Sequence, residues 1–279
     1  MNRKAGHEWF KLVCTGFFLG ATLQISPGAA DFLFSNTNFI EISTDLNPPT
    51  AATPYPSGIT VAGLDGQVVT RATVTLNGLT HESASDISVL LVGPRGQEAI
   101  VMSEAGGQYA FPVTNLVITL DDDAADFLPV DSLLVSGTFK PTNGYLSFGR
   151  TNLPYDFPVP APPGNSNSIS ALSVFKNTDP TGTWNLFVVD DAYPHAGSIA
   201  NGWRLDLSVA VPLQIVRFET NVIVSWPASA TNGHLQLSPA LPGANTWSNV
   251  VAAPISIAGR LCVTDSISGE GAFYRLVSN

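Results

Sequence analysis

The clearest pattern along the chain is an alternation of apolar and polar residues with a period of two. Between Ile199 and Val209 the apolar residues alternate with Arg204, Asp206 and Ser208, which is typical of a strand with one buried face. This phase puts Trp203 in the core, and a second row puts Trp184 there. Comparable segments predict further strands near 38–42, 59–63, 71–76, 87–91, 97–102, 115–120, 133–139, 170–175 and 184–188.

The segments between these predicted strands are rich in Gly, Pro, Asn and Asp, which favour turns. No long window shows apolar residues at the 3.6-residue spacing of an amphipathic helix. We therefore expect an all-β fold, in the form of an antiparallel sandwich or a jelly-roll-like β-barrel with one face of each sheet buried.

A second and shorter series of strands follows Pro212. Alternation of Val222, Val224 and Trp226 is its clearest part. The series predicts a small antiparallel β-sandwich over residues 212–279, after a larger β domain over residues 31–211. Its strands are expected near 213–219, 221–226, 234–238, 246–251, 260–265 and 272–277.

The amino terminus has the pattern of a secretory signal peptide. Basic residues up to Lys11 precede a mostly apolar run from Leu12 to Ile25, and small residues end at Ala30. The run is shorter than the roughly 20 apolar residues that span a bilayer. We therefore predict that residues 1–30 are removed, that the chain is secreted to the periplasm or the medium, and that it has no membrane span.

Charge and cysteine content exclude several classes of function. The chain has 12 Lys and Arg against 22 Asp and Glu, a net charge of −10, which argues against nucleic acid as a partner. Without the predicted signal peptide, Cys262 is the one remaining cysteine. An intramolecular disulfide and a zinc site built from several cysteines are then both excluded.

An ordered set of short motifs covers residues 35–211. It includes YPSGITVAGLDG at 55–66, VTLNGLTH at 74–81 before Asp86-Ile87, LLVGP at 90–94, DPTGTWNL at 179–186 and GWRL at 202–205. This set resembles the P domain (P/Homo B domain) of subtilisin-like proprotein convertases and of many bacterial secreted peptidases. The resemblance implies a jelly-roll-like β-barrel that normally follows a subtilase catalytic domain and stabilises it.

The carboxy-terminal segment resembles a different family, with shorter motifs. VSWP at 224–227, LQLS at 235–238, WS at 247–248 and FYRL at 273–276 are similar to a fibronectin-III-like module that ends secreted proteins of some bacteria. The resemblance carries over no catalytic residues.

The chain lacks the motifs of a serine protease. A subtilase needs a serine nucleophile beside its base, whereas TGTW at 181–184 has no serine. His81, His195 and His234 are not followed by glycine, and G-x-S-x-G is absent. The association of the family with serine endopeptidases therefore does not transfer as an activity, and we expect no enzyme activity.

Clustered aspartates raise the possibility of calcium. Asp121 and Asp122 lie in one acidic run, and Asp190 and Asp191 in another. Calcium binds six to eight oxygen atoms, several of them from neighbouring carboxylates. The alternative is that these aspartates cap turns and face solvent. No cofactor is assigned, and calcium stays open.

Two further features have alternative interpretations. The proline-rich segment, residues 141–168, offers Tyr145, Phe148, Tyr155 and Phe157 as a surface for a partner, or packs these aromatics over the barrel. His81 is either a ligand or a histidine that fixes the turn before Asp86, and we favour the second.

The interpretation that best fits these features is a secreted, non-catalytic module that binds a protein partner or a component of the cell envelope. One alternative is a carbohydrate-binding or adhesive surface protein, which exposed aromatic rings and calcium would favour. Another is an accessory subunit that stabilises a separate secreted serine protease.

Overall fold

The computed structural model describes residues 10–11, 30–107, 111–147, 149, 153–218, 221–230, 233–239, 247–266 and 272–278. Most of the predicted signal peptide lies outside the described residues, and so does Phe148. The part of the chain that the structure describes contains no helix long and apolar enough to cross a bilayer.

The described chain consists mainly of strands, which confirms the all-β prediction. In chain order the strands are β1 (Phe10–Lys11), β2 (Ala30–Asn36), β3 (Ile40–Ile42), β4 (Thr50–Ala51), β5 (Ser57–Val61), β6 (Val68–His81), β7 (Ile87–Val92), β8 (Glu98–Ser103), β9 (Val113–Leu120), β10 (Gly137–Phe139), β11 (Thr142–Asn143), β12 (Gly182–Asp190), β13 (Gly197–Ile199), β14 (Trp203–Ala210), β15 (Gln214–Phe218), β16 (Asn221–Pro227), β17 (Gly233–Ser238), β18 (Ser248–Asn249), β19 (Ile255–Ile257), β20 (Arg260–Ser266) and β21 (Phe273–Ser278).

Helical structure in the described residues is short. The helix α1 (Gly144–Ser147) has one turn, and single 3₁₀ turns occupy Ala84–Asp86, Asn165–Asn167 and Leu172–Phe175. The strand predicted near 170–175 is therefore wrong. Its apolar residues serve another purpose, because the ring of Phe175 packs against Trp184 with their centroids 4.8 Å apart.

The chain divides into two compact units. Unit one contains residues 1–31, 64–70 and 208–279, and unit two contains residues 32–63 and 71–207. The domain boundary expected between residues 211 and 212 stays a prediction.

Two sheets make up most of unit two. The seven-stranded sheet has the order β10-β9-β6-β13-β3, with β14 paired to β6 and to β2. The six-stranded sheet has the order β11-β8-β7-β12-β4, with β5 paired to β12. Most pairs are antiparallel as expected, but β9 with β10 and β8 with β11 are parallel.

Each of these two sheets contributes one of the predicted core tryptophans. Trp184 in β12 and Trp203 in β14 are both 0% exposed, which confirms the phase of the alternation. The indole N–H of Trp203 donates to Ser57 Oγ in β5 at 3.1 Å, and that of Trp184 donates to the Pro180 carbonyl at 2.9 Å. A buried indole with a satisfied N–H can pack as an apolar residue without an unpaired donor.

The proline-rich segment covers the second face of the six-stranded sheet. Its Tyr145, Leu153 and Phe157 form a cluster with residues of β7, β8 and β12, including Leu90 and Phe187. All six positions of β7 are therefore buried, although successive side chains of a strand point to opposite faces.

Unit one contains two four-stranded sheets, β15-β16-β20-β19 and β1-β21-β17-β18. Its core includes Trp226 from the first sheet and Tyr274 and Leu235 from the second. The strand β19 was not expected from the sequence, and it forms a hairpin with β20.

Candidate functional site

A group of histidine, aspartate and serine side chains in unit two lies where β6 and β12 end. We call this group the His–Asp cluster; it comprises His81, Ser83, Ser85, Asp86, Asp190, Asp191 and His195. The chain brings them together because β6 ends at His81, β12 ends at Asp190, and β13 begins beside His81 at Gly197.

Gly197 makes this close approach possible. A Cβ atom at this position would lie 2.1 Å from the Thr80 carbonyl oxygen and 2.5 Å from His81 Cδ2. Any larger residue would push β13 away from the end of β6, and His195, two residues earlier, would move with it.

His81 and Asp190 form a fully buried pair. Both side chains are 0% exposed, and His81 Nε2 lies 3.1 Å from Asp190 Oδ2. His81 Nδ1 lies 2.7 Å from the carbonyl oxygen of Ser83, and Asp190 Oδ1 accepts the N–H of Ala192 at 2.9 Å. Both imidazole nitrogens thus contact the fold itself, which confirms the interpretation that His81 fixes the following turn.

A second pair, Asp86 and His195, lies closer to solvent. His195 Nδ1 is 2.9 Å from Asp86 Oδ2, and the His195 side chain is 32% exposed. The hydroxyls of Ser83 and Ser85 donate to the other carboxylate oxygen, Asp86 Oδ1, at 2.9 and 3.2 Å. One carboxylate therefore holds the loop of His195 and the turn between β6 and β7.

Asp191 connects the cluster to the proline-rich segment. The Tyr155 hydroxyl donates to Asp191 Oδ2 at 2.6 Å, and the Tyr145 hydroxyl lies 3.4 Å from the same oxygen. Burial, together with the charges of Glu104, Asp86 and Asp190, raises the pKa of Asp191 to about 7, and the Tyr155 hydrogen bond opposes this rise. Burial and then the Asp191 charge raise the pKa of Tyr155.

These contacts correct the prediction of an aromatic surface. Tyr145 is 8% exposed and Phe157 is 3% exposed, so neither ring is available to a partner. Tyr155 is half-buried, its hydroxyl is bonded to Asp191, and its ring makes an edge contact with Phe157. The physical reason is that the segment packs its rings onto β7 and β8; Phe148 lies outside the described residues.

The other acidic run lies far from the His–Asp cluster. Asp121 pairs with Arg71, and Asp122 accepts the N–H groups of Leu172 and Ser173 at 2.8 and 2.7 Å. Arg71 and His81 are ten residues apart on β6, which is roughly 33 Å along a strand. The two pairs of aspartates proposed for calcium therefore do not form one site.

No group of three or more His, Cys, Asp or Glu side chains is arranged to hold a metal ion within the described ranges. Asp190 and Asp191 are neighbours in sequence, but Asp190 bonds to His81 and Asp191 bonds to Tyr155. Their carboxylates are thus directed at different partners of the fold.

The geometry of the cluster differs from that of a charge-relay triad. A triad needs the order carboxylate, imidazole, hydroxyl, with the hydroxyl bonded to the free nitrogen of the imidazole. Here Ser83, Ser85 and His195 all bond to the same carboxylate of Asp86. The hydroxyls are polarised as donors to a carboxylate and are not activated as nucleophiles by an imidazole.

Sequence reasoning identified His81 and Asp86 but missed the pairing that joins them to Asp190 and His195. The separation of 109 residues within each of the two pairs explains why. No local sequence signal marks these pairs, because β6 and β12 belong to different sheets and alternation does not place their ends together.

No protein-family model matches the chain, and the search of curated proteins gives no match either. Among solved structures, the chain is similar to a serine protease of Aeromonas sobria, with a TM-score of 0.28 and 13% identity over 92% of this chain and 28% of that chain. The same protease in complex with its chaperone gives the same values. A TM-score of this size establishes neither a shared fold nor a shared function.

Proposed function

We propose that this chain is a secreted, non-catalytic accessory module, similar to the P domain in its motifs, that binds or stabilises a protein partner. The observation that carries the proposal is that the side chains of the His–Asp cluster bond to one another and to the backbone of the fold. Its imidazoles and carboxylates join the ends of β6, β7, β12 and β13, and its hydroxyls donate to Asp86. Such an arrangement stabilises a scaffold and leaves no aligned nucleophile.

The positions of the P-domain-like motif residues support the same conclusion. Trp184 and Trp203 are core residues, and His81 is a buried turn residue. A motif made of buried core and turn residues specifies the fold and not a binding surface. The partner of such a module is then recognised by surface residues outside the motif.

A carbohydrate-binding role has less support. Sugar recognition by aromatic stacking is predicted for the rings of the proline-rich segment, and of these Tyr145 and Phe157 are buried. The alternative of an accessory role beside a separate secreted serine protease is compatible with the proposal, since it only names the partner.

The first experiment tests the absence of catalysis. The purified chain is treated with a fluorophosphonate probe beside an active serine hydrolase as positive control. We expect no labelled serine, because the serines of the cluster donate to Asp86. Stoichiometric labelling of one serine, lost in His195→Ala, would refute the non-catalytic proposal.

The second experiment tests binding. The folded chain is immobilised and exposed to the native secretome, with the heat-denatured chain as the matched control. We expect at least one protein to be retained by the folded chain alone. Retention of the same proteins by both would contradict a role in specific protein binding.

A further inference from the structure

One sheet edge of unit one is uncharged and exposed. We call residues 251–259 the neutral edge; it contains β19 and no Asp, Glu, Lys or Arg. All residues from 251 to 259 are exposed, and Ser256 is the only one of these nine with a polar side chain. Val251 is 97% exposed, Ile255 60% and Ile257 54%. Exposed apolar runs of this kind mark interaction surfaces.

The backbone of this edge is also available for pairing. β19 is the last strand of its sheet and pairs only with β20 among the described strands. Ile257 and Arg260 flank the two-residue turn Ala258-Gly259. They therefore form a hydrogen-bonded pair. Because hydrogen-bonded and non-hydrogen-bonded pairs alternate along an antiparallel ladder, the next pair, Ser256 and Leu261, is not hydrogen-bonded. The N–H and C=O groups of Ser256 consequently point away from β20.

Natural sheet edges are usually protected by charges, by proline or by short length. The neutral edge has Pro254, which limits pairing to Ile255–Ile257, but it has no charge. This edge allows one short, defined strand pairing and excludes a longer pairing. Such an edge suits a specific contact better than open-ended aggregation.

The distribution of charge favours a second copy of the chain as the occupant. Unit two carries 16 acidic and 6 basic residues, whereas the part of unit one outside the predicted signal peptide carries 5 acidic and 3 basic residues. Two copies that approach through unit two would bring strongly negative surfaces together. Two copies that approach through the neutral edge bring no like charges into direct contact.

We infer that the neutral edge is a homodimer interface, in which β19 of two copies pairs antiparallel about a two-fold axis at Ser256. This register places Ile255 of one copy opposite Ile257 of the other, and each Ser256 exchanges two backbone hydrogen bonds with its equivalent. The arrangement is isologous and closed, so that it ends at two copies. It joins two four-stranded sheets into one of eight strands.

The first test is the mass of the purified chain in sedimentation. The concentration runs from about 1 to about 300 µM, because interfaces below about 1,200 Å² are typical of weak complexes. We expect a monomer–dimer equilibrium in the parent and in Leu46→Lys, which adds a charge at a residue 76% exposed in unit two. Ile257→Lys should weaken dimerisation about tenfold or more, since lysine at an edge opposes pairing.

The second test is chemical and reports the register. Ser256→Cys is made in a chain whose Cys14 and Cys262 are replaced by serine, and Ser132→Cys serves as an exposed control in unit two. A Cα separation of about 5.5 Å is expected for the two Ser256 positions, which is within the range that a disulfide bridges. Mild oxidation should therefore link Ser256→Cys chains and not the control.

A parent chain that stays monomeric over the whole concentration range overturns the inference. Dimerisation that is unaffected by Ile257→Lys overturns it as well, since the contact then lies elsewhere. Capture of a different protein by a monomeric parent, lost in Ile257→Lys, assigns the edge to that protein and also overturns self-association. Circular dichroism of each variant verifies that the fold is retained.

Discussion

The replacement Asp191→Asn tests the link between the His–Asp cluster and the proline-rich segment. Asparagine has the shape of aspartate, and its Oδ1 still accepts the Tyr155 hydroxyl that lies 2.6 Å from Asp191 in the parent. The change removes one negative charge beside Glu104, Asp86 and Asp190. Any pH-dependent difference between variant and parent therefore reports on Asp191.

The direction of the effect follows from proton binding. The pKa of Asp191 is about 7 in the folded chain, against 3.8 for a fully solvated aspartate, which represents the unfolded chain. Between these values the folded state holds a proton that the unfolded state releases, so the free energy of unfolding falls as pH rises. The favourable contribution of protonated Asp191 is fully present below about pH 4 and lost above about pH 7.

The size of the effect follows from the same difference. Each pKa unit corresponds to about 1.4 kcal/mol, so a difference of about three units gives up to about 4 kcal/mol. We expect Asp191→Asn to be more stable than the parent by about 2–4 kcal/mol at pH 8. At pH 4 the two chains should differ little, because both then carry a neutral side chain.

The measurement is urea denaturation followed by tryptophan fluorescence at several pH values from 4 to 9. Asp131→Asn is the matched control, because Asp131 is exposed. Its stability should follow that of the parent at every pH. A variant Asp191→Asn that is equally or less stable than the parent at pH 8 would refute the assignment of a raised pKa to Asp191.

Three further predictions concern the core, the close approach of β13 to β6 at Gly197, and calcium. Trp203→Ala should lower the free energy of unfolding by about 3–5 kcal/mol in urea denaturation, because the indole is fully buried; an unchanged midpoint would show that the ring does not pack in the core. Gly197→Ala should lower the melting temperature, since its Cβ would lie 2.1 Å from a carbonyl oxygen. Gly58→Ala should not lower it, because the nearest atom to the added Cβ lies at 3.5 Å. Equal losses in the two variants would contradict the close approach of β13 to β6 at Gly197. Millimolar calcium should leave the melting temperature unchanged, because Asp121 pairs with Arg71 and Asp122 caps a turn; a rise that a chelator reverses would restore the calcium hypothesis.

The sequence predicts most strands of this fold because one physical signal, period-two alternation, decides them. It is strongest in β14 and β12, where each buried face contains a tryptophan. It fails near residues 170–175, because the apolar residues of a 3₁₀ turn at Leu172–Phe175 also pack inward. It misses β19, because all three of its residues are exposed and no buried face exists to detect.

The candidate site is less predictable because it depends on pairs distant in sequence. The turn at His81 follows from local chemistry, since an imidazole at a strand end can bond to the next loop. The pairing of His81 with Asp190 requires the order of strands in the six- and seven-stranded sheets, which alternation does not specify. The proline-rich segment leaves two interpretations open for a related reason, because proline content indicates a loop but does not report what its aromatic rings cover.

The cover that the proline-rich segment provides has a consequence for the evolution of β7. A strand on an ordinary two-layer sandwich has three positions in six that accept polar residues, and drift accumulates there. In β7 all six positions are buried, half of them beneath a segment that begins about 50 residues later in the sequence. Saturation mutagenesis should therefore find no permissive position in residues 87–92, and accepted changes there should be accompanied by compensating changes in Leu153 or Phe157.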